Sequence, residues 1–142
     1  MRLAVAVLVA ALGLTGCQEQ ALLFRNDHRI TIISPANFDT VHLPLTLRWR
    51  ARAFTAPTDG HYVVLVDRSP QAPGKTISEF PPADRLGIYT TDSTEMELKV
   101  FGRDPSAPPA EKDHHELTVI LVDPQGRRIS ETAGFVEFDI QR

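Results

Sequence analysis

Five histidines and a single cysteine are the side chains of this 142-residue chain best suited to hold a metal ion or serve as a nucleophile. The histidines are His28, His42, His61, His114 and His115. His114 and His115 are adjacent, and neighbouring residues of a strand point to opposite faces, so the two do not readily share one ion. A metal site would join one of them to a second ligand, which makes His61, Asp113, His114 and His115 the candidate set. The alternative is a group of solvated loop histidines, because none shows the fixed ligand spacing of known sites. Catalytic patterns are missing: there is no G-x-S-x-G, no H-E-x-x-H and no cysteine placed as a nucleophile. A Ser-His-Asp set is defined by geometry and not by spacing, and nothing here singles one out. The expectation is a non-enzymatic protein with no catalytic residue and no cofactor.

The lone cysteine, Cys17, rules out an intramolecular disulfide and any multi-cysteine zinc site. It follows Arg2 and an apolar run over residues 3–14 rich in Ala, Val and Leu. That run is too short to span a bilayer, which takes about 20 apolar residues, but it suits the hydrophobic part of a secretory signal. The four residues Leu14-Thr15-Gly16-Cys17 resemble the lipobox of bacterial lipoproteins: an aliphatic residue, a small one, Gly or Ala, then cysteine. The resemblance implies diacylglycerol transfer to the Cys17 sulfur, cleavage between Gly16 and Cys17, and acylation of the new terminus. Two or more chains give stable membrane retention where one gives only reversible binding. The implied partner is a lipid bilayer, at the cell membrane or outer membrane, with the domain outside the cytoplasm. In a Gram-negative host, a residue other than Asp after the cysteine, here Gln18, sends such proteins to the outer membrane. A thiol committed to lipid leaves none for a cupredoxin-type copper site.

Charge narrows the partners further. Eighteen acidic and fifteen basic residues give a net −3, and losing Arg2 with the leader leaves 18 against 14, or −4. A weakly acidic chain with no basic block has no electrostatic footprint for nucleic acid or for anionic headgroups. Residues 17–28 carry little pattern and read as a tether, reaching about 40 Å at full extension.

From residue 29 the apolar period is two, with turn residues at regular intervals. Short strands are expected at 30–33, 45–51, 62–67, 86–90, 95–100, 116–122 and 136–140. The cleanest alternates Leu45, Leu47, Trp49 and Ala51 with Thr46, Arg48 and Arg50, which turns Trp49 inward. The run 62–67 (YVVLVD) is almost wholly apolar and suits a central strand. Asp123-Pro124-Gln125-Gly126 carries type I turn chemistry, so 116–140 is a hairpin, with an irregularity near Thr132-Ala133-Gly134. No segment has sustained helical periodicity.

About seven strands with these features predict an all-β, two-sheet antiparallel sandwich over 29–142, after a signal peptide (1–16) and a lipidated tether (17–28). The body resembles fibronectin type III and related immunoglobulin-like domains. The Trp49 segment is similar to their strand B, 62–66 to strand C, and 116–126 to strand F and its turn into strand G. A tyrosine usual in strand F is absent; His115 or Leu117 stands there.

Two proline-rich segments, 69–84 and 102–114, are long for sandwich connections, and long loops are disproportionately functional. They read either as stiff spacers or as a partner surface carrying Phe80, Pro81, Pro82, Pro108 and Pro109. The function expected is a membrane-anchored, non-catalytic interaction module of the cell envelope that docks another envelope protein; the alternative is an envelope metal-binding protein using the histidines.

Overall fold

A computed structural model describes residues 29–79, 87–99, 101 and 112–141. The expected signal peptide (1–16) and tether (17–28), with Cys17, and Phe80, Pro81, Pro82, Pro108 and Pro109 lie outside the described residues. The described chain is all-β apart from one 3-10 turn, Ile77–Glu79. Its strands are β1 (Ile30–Ser34), β2 (Asp39–Val41), β3 (Leu45–Ala51), β4 (His61–Val66), β5 (Ile88–Thr91), β6 (Glu95–Leu98), β7 (Lys112–Val122) and β8 (Arg128–Gln141). They form a three-stranded sheet, β1-β3-β6, and a five-stranded sheet, β2-β8-β7-β4-β5.

The alternating strands do what their period requires. In β3, Leu45, Leu47 and Trp49 are buried while Thr46, Arg48 and Arg50 are exposed. Val136, Phe138 and Ile140 of β8 are buried in the same way. These residues meet Tyr62, Val64 and Val66 of β4 and Leu117, Val119 and Leu121 of β7 in one core shared by both sheets. Trp49 is 2% exposed, and its ring meets Tyr62 edge-on at 5.5 Å, joining the two sheets through an aromatic pair.

β4 is apolar on both faces because both are covered. Val63 and Leu65 point away from the main core and join Ile120 and Val122 in a second cluster, against which Ile77 packs. The segment before Ile77 is stitched to the start of β8: Gly74 N–H donates to the Arg128 carbonyl at 2.7 Å, and Arg128 N–H to the Lys75 carbonyl at 2.9 Å. The Arg128 guanidinium reaches the Gln71 and Glu131 carbonyls. Burial lowers its proton affinity below the usual arginine value, while the Glu131 charge acts in the opposite direction. The described part of the proline-rich stretch beginning at residue 69 is therefore a cover over the five-stranded sheet.

Three features go beyond the expected pattern. β2 is an additional strand, pairing parallel with the end of β8 through Asp39↔Phe138 to Val41↔Ile140. β7 begins at Lys112, so His114 and His115 lie within a strand and not ahead of one. β8 begins at Arg128, and its register against β7 breaks between Ile120↔Ala133 and Val122↔Arg128, beside the expected irregularity. The turn before it closes with Gly126 N–H donating to the Asp123 carbonyl at 2.8 Å.

Candidate functional site

The strand registers separate the sequence-predicted histidines. His61 lies opposite Val122 at one end of β7, whereas His114 and His115 lie near the other end. Seven residues of strand between His115 and Val122 span about 23 Å. His61 thus cannot share an ion with either of the others. Each of the three faces an aspartate instead. His61 Nδ1 is 2.5 Å from Asp92 Oδ1, His114 Nδ1 is 3.1 Å from Asp139 Oδ1, and His115 Nδ1 is 2.7 Å from Asp67 Oδ2. The first two pairs are substantially exposed. Among the described residues no group of three or more His, Cys, Asp or Glu side chains is placed to hold a metal ion.

His115 differs from the other two because its side chain is only 8% exposed. Alternation along β7 turns it inward, where its ring lies 4.9 Å from that of Phe101 and 6.2 Å from that of Phe138. Asp67 ends β4 at φ 51°, a conformation that aspartate tolerates better than most side chains. From there its N–H donates to the Glu116 carbonyl at 2.9 Å, and its Oδ1 accepts from Glu116 N–H at 2.9 Å. The aspartate both stops the strand and fixes the orientation of the imidazole. Sequence reading missed it, since Asp67 and His115 are 48 residues apart. The only local signal was the Asp at the end of the YVVLV run.

A cavity of about 410 Å³ opens beside His115, at the end of the molecule where β7 begins and β8 ends. Leu43, Phe101 and Ile140 form its apolar walls, and His42, Lys99, Asp113 and His115 add polar groups. Asp113 and His115 of the candidate set therefore share one cavity, as two residues on the same face of a strand should. His42 and Lys99 come from the connections after β2 and β6.

A groove of about 370 Å³ runs between β1 and β8, lined by Ile30, Ile32, Pro35, Gly134 and Phe135 among others. Ile33, Phe38 and Phe135 are exposed large hydrophobics on these segments. Phe38 is 71% exposed and sits at φ 64°, an outlier for so bulky a residue. The turn holding it is tied to β8: Phe38 N–H donates to the Glu137 carbonyl at 2.6 Å, and Glu137 N–H to Asn37 Oδ1 at 2.9 Å. Among the described residues, no helix is long and apolar enough to cross a membrane. Comparison of the chain with protein-family models, curated proteins and solved structures finds no match.

Proposed function

We propose that this chain is a cell-envelope lipoprotein, lipid-anchored through Cys17, whose body is a non-catalytic interaction module of the fibronectin III or immunoglobulin-like kind. The observation that carries the anchor is the sequence Leu14-Thr15-Gly16-Cys17 behind the apolar run 3–14. Two acyl chains on that cysteine would hold the protein on the outer face of the cell membrane or on the outer membrane. Support for the sandwich type comes from strand order. Taking β1, β3 and β6 as A, B and E lets β8-β7-β4-β5 stand as G-F-C-C′, with β2 as a further, parallel strand on the outer edge of β8.

The same registers give the module a direction. The tether enters at Arg29, beside Ile30↔Ala51, while the His115 cavity lies at the end marked by Leu45↔Leu98. Six residues of β3 separate these ends, about 20 Å. An anchored domain would carry its cavity on the side facing away from the tether. The interaction surface is the β1–β8 groove, lined by Phe135, with the exposed Ile33 and Phe38 on the adjoining segments. Exposed aromatics, one in mid-strand and one on a turn tied to β8, are well suited to anchor a partner.

In-cell photocrosslinking from position 135, with position 125 in the distant turn as the control, tests the module. One dominant envelope protein captured from 135 and not from 125 is the expected result. Intact, membrane-bound protein that captures nothing from 135 would remove the interaction reading.

A further inference from the structure

The β1–β8 groove leaves the His115 cavity without a role, and its chemistry differs from that of the groove. From its lining we infer that it binds a small organic carboxylate with an apolar body. The inference concerns the folded domain alone and does not depend on the anchor or on a protein partner.

Size sets the first limit. A cavity of about 410 Å³ falls in the range of small-molecule sites, which combine apolar walls with a few convergent polar groups. Leu43, Phe101 and Ile140 supply the walls; Phe101 and Ile140 are themselves buried, so this surface is part of the fold and does not depend on mobile tips. An aliphatic or aromatic body of a few carbons would cover it and release water.

Charge sets the second. Three basic side chains reach the cavity from three separate segments, His42 after β2, Lys99 after β6 and His115 within β7, and the Gln141 amide lines it as well. Against them stands one carboxylate, Asp113, which already has an interaction within the protein. Lys99 pairs with Glu97 at 3.1 Å, but both side chains are half-exposed or more, and such a pair is easily exchanged. His115 is the most buried of the three. Asp67 takes Nδ1, so Nε2 is the nitrogen left to meet a ligand. A carboxylate bridging His115 and Lys99, with its body on Phe101, uses the basic groups and the apolar wall together. An organic cation would meet Lys99 and two imidazoles with only one engaged acid in return.

The test is titration of the full-length protein in lipid nanodiscs with phenylacetate, 2-phenylethylamine and 2-phenylethanol, followed through histidine-ring NMR resonances. These probes share an aromatic body and differ in charge. Phenylacetate is expected to shift the His115 and His42 resonances saturably, with the amine and the alcohol at least ten-fold weaker. Lys99→Met, a change at an exposed side chain, should weaken phenylacetate at least five-fold while leaving the spectrum of the unliganded protein otherwise intact. Equal or tighter binding of the amine or alcohol, no saturable shift with any probe, or a Lys99→Met protein that binds phenylacetate unchanged would overturn the assignment.

Discussion

Gly134 lies where the two sheets approach each other, and adding one methyl group there tests that closure. A Cβ on Gly134 would lie 2.5 Å from Ile30 Cγ2 and 3.1 Å from Ile32 Cδ1. Carbon atoms prefer about 3.5–4.0 Å, so β1 must retreat from β8 by roughly 1 Å or more. Overpacking of this kind costs about 1–3 kcal/mol. Loss of glycine's freedom in the unfolded chain returns about 0.4–1 kcal/mol. Taking the middle of each range, Gly134→Ala should destabilise the protein by about 1 kcal/mol. Ile30→Ala removes the clashing methyl and alone costs about 2–5 kcal/mol, since Ile30 is core. The double variant should lose less than the sum by about 1 kcal/mol, as expected for residues in contact. Urea unfolding of the full-length protein, followed by Trp49 fluorescence, measures all three. A Gly134→Ala protein as stable as the parent, or strictly additive losses, would mean that β1 and β8 are not packed as described.

Further predictions concern the core, its ionisable groups and the histidine pair. Trp49→Ala should cost about 3–5 kcal/mol by urea unfolding, because the ring fills the space between the sheets; a loss below about 1 kcal/mol would place the ring outside the core. Burial, reinforced by Asp59, raises the Tyr62 phenol above the ordinary tyrosine value. A raised acid contributes stability that is full below the unfolded-chain value of about 10 and is lost as pH rises through the folded one. Unfolding free energy should thus fall above about pH 10, and by less in Tyr62→Phe; the same fall in both proteins would refute the assignment. Asp67→Ala removes the acceptor for both His115 and Glu116 N–H, and should cost about 1–3 kcal/mol in the same assay while broadening the His115 ring resonance. An unchanged resonance would show that Asp67 does not hold the imidazole.

How much could be read from the sequence follows from the range of each interaction. β3 and the end of β8 were legible because each has one wet and one dry face, so period two is written in their residues. β4 was legible as a fully covered run, although the cover over its outer face was not. Ile77 reaches Val63 and Leu65 only because residues 74–77 pair with 126–128, a long-range contact with no local signature. β2 went unread because three residues of Asp-Thr-Val carry no period. The starts of β7 and β8 lie outside the expected strands 116–122 and 136–140 because their residues, KDHH and RISETAG, are mostly polar or small and carry no clear period. Asp113 and His115 share a cavity through i, i+2 spacing, whereas the ties to Asp67, Lys99 and His42 depend on topology. The pairing of His61 with the other histidines fails for the same reason, since position along a strand is invisible until the register is known.

If lipid at Cys17 holds the domain on a membrane, the intact mass of the protein will show it. Protein extracted from membranes of its native host should lack residues 1–16 and carry a diacylglyceryl group on Cys17, and Cys17→Ser should lose that mass and leave the membrane fraction with the fold unchanged. Full-length, unacylated protein with a free Cys17 thiol, or a Cys17→Ser protein that stays on the membrane, would contradict the claim.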